Sequence, residues 1–85
     1  MKVSPDAVYR RIDNEGVLIN LQTERMFKLN ETGARFWELL ASEATITDAT
    51  AKMQQEYAVG EQELEREIAT LLQALREEGL VDAGE

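Results

Sequence analysis

Residues 16–40 read GVLINLQTERMFKLNETGARFWELL, and inside this stretch the apolar spacing changes period. Val17, Ile19 and Leu21 alternate with Leu18 and Asn20, which is the period of two that belongs to a strand. Gln22-Thr23-Glu24 makes a polar turn. Arg25 to Leu29 (RMFKL) alternates again, with Phe27 and Leu29 on one side and Met26 and Lys28 on the other. Beyond this point the spacing is helical. Asn30 offers a side-chain N-cap with Gly33 just inside it. Ala34, Phe36, Trp37, Leu39, Leu40 and Ala41 then make a helix apolar round most of its circumference, as a buried helix is.

Upstream, Val8 to Ile12 (VYRRI) reads as another strand, with Val8, Arg10 and Ile12 on one face. Asp13-Asn14-Glu15-Gly16 is the hairpin connection that joins it to Val17–Leu21. Downstream, Ile46 and Thr47 have the pattern of a hydrophobic staple and cap for a helix from Asp48 to about Tyr57, which turns Ala49, Met53 and Tyr57 inward. A third helix is expected from Glu61 to Glu78. Its stripe is Leu64, Ile68, Leu71 and Leu75, with Leu72 at the margin, and Gly79 is placed to cap it before Leu80-Val81 folds back. The first five and last few residues look loose. The order is strand, strand, strand, helix, helix, helix. It predicts one α+β domain over residues 1–85, a three-stranded antiparallel meander followed by three helices, related in outline to a winged helix-turn-helix.

Composition removes most alternatives. The chain of 85 residues has no cysteine and no histidine, so thiolate chemistry, the commonest general base and the usual zinc ligands are all missing. No G-x-S-x-G or phosphate-binding glycine loop is present, and the serines have no base to activate them. These features predict a protein that is not an enzyme and carries no metal or cofactor. Nine Lys+Arg against seventeen Asp+Glu give a net charge of −8, the wrong sign for phosphate backbones or anionic membranes. The N-terminus lacks the apolar run of a signal peptide, and a cytoplasmic location is expected. A core this small gains from a partner or a second copy, so a monomer or weak dimer is expected.

Two surfaces remain as candidates. Arg25–Leu29 ends at a helix and is left as an edge strand, either an ordinary edge guarded by Arg25 and Lys28 or a template for another chain. Beside the apolar stripe of the third helix lie Glu65, Ala69, Leu72 and Arg76, either a solvated flank or one wall of a groove. Acidic residues crowd the C-terminal part, including Glu77, Glu78, Asp82 and Glu85. They read as a solubilising face or as an attraction for a basic peptide.

The block Leu29-Asn30, Gly33, Phe36-Trp37, Leu39-Leu40, preceded by the two strands, resembles the PqqD-like family. So does Glu61–Val81 (EQELEREIATLLQALREEGLV), and the likeness runs from Val8 to Val81. Members of that family are recognition elements for ribosomally made, modified peptides. The resemblance implies a non-catalytic domain that takes the leader segment of a precursor peptide as an added strand. That strand would run antiparallel to Arg25, Met26, Phe27, Lys28 and Leu29. It also implies a cleft against the third helix, and the helix angles put Ile68, Leu72 and Leu75 there as the apolar set, with Ala69 beside them and Glu65 and Arg76 as polar rims. A chain of this length resembles the discrete subunits of lasso-peptide biosynthesis, which hand the precursor to a leader-cleaving cysteine protease and an ATP-dependent cyclase. The alternative implied is a peptide chaperone for a radical-SAM enzyme. Asn30, Gly33, Phe36 and Trp37 would be architecture.

Overall fold

The computed structural model describes residues 2–42 and 45–82. Its elements are β1 (Ala7–Ile12), β2 (Glu15–Asn20), β3 (Arg25–Leu29), α1 (Glu31–Ala41), α2 (Ile46–Glu56) and α3 (Glu61–Glu77). The strands form one antiparallel sheet in the order β1-β2-β3, as the alternation predicted. Two turns differ from expectation. The first is only Asp13-Asn14, with Asp13 in the left-handed region at φ 55, so Glu15 and Gly16 already belong to β2. Gly16 is there for space: a Cβ on it would stand 2.8 Å from Tyr9 Cε1 and 3.0 Å from Ala34 Cβ, where α1 crosses the sheet. The second turn takes in Leu21, which leaves the strand and is exposed, and closes through Glu24 N–H to Asn20 O at 2.7 Å.

Asn30 caps α1 as its position predicted, its side chain accepting from Gly33 N at 2.8 Å. Phe36 and Trp37 are buried on different sides of this helix, and only Ala41 of the expected apolar set is exposed. Phe36, Leu39 and Leu40 join Ala49 and Met53 of α2 and Leu64, Ile68 and Leu72 of α3. Ala34 and Trp37 join Leu18, Leu29, Leu75, Leu80 and Val81. Helix α1 is thus shared by both halves of the core. Burying a side chain of this size stabilises by about 1.5–3 kcal/mol.

The cap of α2 is Thr45, two residues before the expected Thr47. Its hydroxyl accepts from Asp48 N at 3.0 Å, which places Ile46 inside the helix and not before it. Both threonines suit an N-cap chemically. Helix α3 ends at Glu77 in a Schellman turn: Leu80 N–H donates to Leu75 O and Gly79 N–H to Arg76 O, with Gly79 at φ 72. Asn20, the one buried polar residue among those described, ties the sheet to this turn. Its Nδ2 donates to Glu78 O at 2.7 Å, while its Oδ1 accepts from Gln22 N at 2.9 Å.

The N-terminal end is not loose over the described residues. Val3 bridges Val81, Ser4 N–H donates to Leu80 O at 2.8 Å, and Asp82 N–H donates to Lys2 O at 3.0 Å. The buried Leu80 and Val81 give the early residues a partner. The expectations for Met1 and for residues 83–85, Glu85 included, lie outside the described residues. No helix among the described residues is long and apolar enough to cross a membrane.

Candidate functional site: the cleft between β3 and α3

The register fixes which backbone groups of β3 reach the sheet edge. Leu21 N–H donates to Asp6 O, one step beyond the pair Ala7↔Asn20. In an antiparallel ladder that places Ala7↔Asn20 in a non-hydrogen-bonded pair, so Val8↔Ile19, Arg10↔Val17 and Ile12↔Glu15 exchange the bonds. The two-residue turn at Asp13-Asn14, closed by Ile12↔Glu15, agrees with this parity. Gly16, Leu18 and Asn20 therefore direct their N–H and C=O groups to Leu29, Phe27 and Arg25. Met26 and Lys28 direct theirs away from β2. Among the described residues no strand pairs with that edge.

Beside the edge lies a cleft of about 740 Å³. Its apolar floor is Phe27 and Leu29 of β3, Phe36 of α1, Met53 of α2, and Leu64, Ile68 and Leu71 of α3. Lys28 lines it from the strand, and Glu63, Arg66, Glu67, Thr70 and Ala74 line it from α3. Both signs of charge thus border an apolar trough, which suits an extended peptide with apolar side chains at alternate positions.

The cleft takes in some of the residues expected from the sequence and leaves others out. Phe27, Lys28, Leu29 and Ile68 meet at the cleft. The Arg25 side chain is largely exposed and pairs with Glu78 at 3.0 Å, and Met26 is 63% exposed on the outer face of the sheet. Leu72 and Leu75 are buried in the core and do not line the cleft. Glu65, Ala69 and Arg76 are exposed and do not line it either. The cleft takes the other flank, with Leu71 half-buried where Leu72 was expected. Periodicity locates the stripe but not which margin faces β3. That depends on how α3 is seated on α1 and α2, and no local signal in the sequence reports it.

A second polar cluster holds the opposite edge of the sheet. Tyr9 Oη donates to Glu38 Oε2 at 2.6 Å, and Arg11 Nη1 donates to the same oxygen at 3.0 Å. Arg35 reaches Glu38 Oε1 at 3.5 Å and grips Glu56 with two bonds of 2.9 and 2.8 Å. The Tyr9 bond, with Arg11 and Arg35 nearby, lowers the Glu38 carboxyl below its usual range despite partial desolvation. Desolvation and the adjacent carboxylate raise the Tyr9 hydroxyl above its own. The cluster links β1, α1 and α2, and lies away from the cleft.

A family model described as coenzyme PQQ synthesis protein D (PqqD) matches residues 15–81. A solved structure of TbiB1 in complex with the TbiA(beta) leader peptide is similar, with 33% sequence identity and a TM-score of 0.91 over 100% of this chain and 99% of that one. A lasso peptide synthetase B1 complexed with the leader peptide is 26% identical, with a TM-score of 0.81 over 95% of each chain. No curated protein sequence matches significantly.

Proposed function

The chain belongs to the PqqD family, and on that premise we propose that it is a non-catalytic recognition subunit that captures the leader segment of a ribosomally made precursor peptide. The observation that carries this reading is the open β3 edge running along an apolar cleft. The leader adds antiparallel to Arg25–Leu29 and bonds to the N–H and C=O groups of Met26 and Lys28. Directly opposed residues share a face of a sheet. Leader residues opposite Phe27 and Leu29 therefore turn into the cleft, towards Leu64, Ile68, Leu71 and Ala74. Those opposite Met26 and Lys28 turn to the outer face. Leu72 and Leu75 back the wall from the core, while Glu65, Ala69 and Arg76 have no part in it.

The similarity to two B1 proteins solved with their leader peptides supports the lasso-peptide pathway over a radical-SAM partner. In that pathway the subunit works in the cytoplasm and delivers the precursor to a leader-cleaving cysteine protease and an ATP-dependent cyclase. The test is a titration of a fluorescent leader peptide from the same gene cluster into the protein. Saturable binding at micromolar concentration or below is expected, with backbone amides of Met26 and Lys28 gaining protection from hydrogen exchange. Folded protein that ignores every such leader would end the reading.

A further inference from the structure

The cleft is open at one end and closed at the other. On β3 the side chains of Arg25, Phe27 and Leu29 share the cleft face, because alternate residues of a strand do. On α3 the lining residues Glu67, Leu71 and Ala74 recur every three or four positions, and Glu78 is the next step along the same flank. The trough itself stops at Phe27 on the strand and at Ala74 on the helix. One step further along each wall stand Arg25 and Glu78. They meet across the gap, with Arg25 Nη2 donating to Glu78 Oε2 at 3.0 Å. At the other end the lining continues past Leu29 to Asn30, Thr32, Gly33, Phe36 and Met53.

This end wall is held in place from the sheet. Asn20 lies directly across from Arg25, and its buried side chain donates to Glu78 O at 2.7 Å. Two neighbouring strands thus grip one residue, one by its backbone and the other by its carboxylate. The backbone edge finishes at the same place. β3 begins at Arg25, and Glu24 before it sits in the left-handed region at φ 64, inside the turn. A strand added antiparallel to β3 enters over Asn30 and leaves beside Arg25, so it meets the wall on its way out.

Alternation alone does not fix where such a strand stops. A slip of one residue turns every side chain to the wrong face, but a slip of two restores both the faces and the backbone bonds. The ion pair separates those registers. An apolar side chain opposite Arg25 would displace water from two charged groups and find no apolar lining there. A polar side chain keeps the pair solvated and can accept from the guanidinium N–H groups that the bond to Glu78 does not use. We infer that the Arg25–Glu78 pair is a register stop, and that the leader it admits carries apolar residues opposite Leu29 and Phe27 and a polar residue opposite Arg25. The inference rests on the leader-capture reading and adds to it the spacing that the captured peptide must have.

Because the chain has no cysteine, single cysteines report the register directly under mild oxidation. Met26→Cys stands on the outer face, and a leader peptide from the same gene cluster carries one cysteine at each strand position in turn. With the ion pair intact, one leader position is expected to form disulfide about tenfold faster than those two residues away. Arg25→Leu and Glu78→Leu each remove the stop, and that preference is expected to fall to about twofold or less. The gain goes to the position two residues nearer the leader N-terminus. Glu78→Gln, which keeps the shape of the turn, is expected to act in the same direction and serves where leucine impairs folding. Exchanging the charges with Arg25→Glu and Glu78→Arg together is expected to restore the single register, which a merely structural role of either residue would not do. A single register that no variant alters would remove the stop and leave leader capture standing. Disulfides spread evenly over positions two apart in the presence of the intact pair would overturn it as well. Protein that binds no leader, read by fluorescence anisotropy, ends leader capture and the register stop together.

Discussion

Proline at Met26 separates the edge of the sheet from its interior. Met26 N–H points away from β2, so Met26→Pro removes a donor that the ladder does not use. Arg25 before it is already extended, as the residue preceding a proline must be. The fold is therefore expected to survive with little loss of stability. An added strand meets a ring where it needs a donor, and one of its carbonyls is left unpaired beside the cleft. That costs about 1–3 kcal/mol, a weakening of leader binding of roughly 5- to 150-fold. Phe27→Pro, one residue on, acts quite differently. Its N–H belongs to the ladder opposite Leu18, which is wholly buried, so the substitution strands an interior carbonyl and deletes an aromatic ring. In a domain of this length, whose total stability is about 4–13 kcal/mol, much of the margin is lost. Thermal denaturation followed by circular dichroism reads the first property, and fluorescence anisotropy of a labelled leader reads the second. Met26→Ala keeps the N–H and is expected to weaken binding at least fivefold less than proline does. A Met26→Pro protein that folds and binds leader as wild type does would refute strand addition at this edge.

Other substitutions probe the helix wall, the clamp and the polar cluster. Ala74→Glu places a carboxylate in the cleft and is expected to weaken leader binding by about tenfold, or 1.4 kcal/mol, whereas Ala69→Glu on the other flank of α3 leaves titrations unchanged. Asn20→Ala removes the bonds to Glu78 O and to the β2–β3 turn. It is expected to cost about 2–3 kcal/mol, seen as a fall in Tm of roughly 10–20 °C. The lowered Glu38 carboxyl contributes stability above its unfolded-state pKa and loses it as pH falls through the folded-state value. Glu38→Gln should accordingly flatten the acid limb of a stability–pH profile below about pH 5, and an unaltered limb would show that the Tyr9–Glu38 bond is not linked to folding.

The sequence made the strands, their order and the β3 edge legible because alternation and turn residues are local signals. RMFKL is bounded by a turn on one side and the Asn30 cap on the other, so its ends were readable to the residue. The Gly79 turn was legible for the same reason, since a left-handed residue after a helix favours glycine. What could not be read was relational. Gly16 looked like part of a turn until its distances to Tyr9 and Ala34 showed a crossing too tight for a side chain. Leu71 and Leu72 are adjacent and equally apolar, and only the seating of α3 sends one to the cleft and the other to the core. That is why Phe27, Lys28 and Leu29 of the strand line the cleft as expected, whereas of the six helix residues expected there only Ile68 does.

The bridge between Val3 and Val81 has a use outside peptide recognition. Residues near the two ends of the chain are hydrogen-bonded to one another, so the path into the fold and the path out of it leave side by side. Such a module can be spliced into a surface loop of a host protein without prising the host apart, because entry and exit ask for the same gap as the loop they replace. The same adjacency allows the order of the halves to be exchanged. A short linker from residue 82 to residue 2, with new ends opened at the exposed Asp13-Asn14 turn, gives a circular permutant in which β2, β3 and all three helices precede β1. Both rearrangements keep the cleft intact, and they make the domain a portable adaptor that can be moved among enzymes as a cassette.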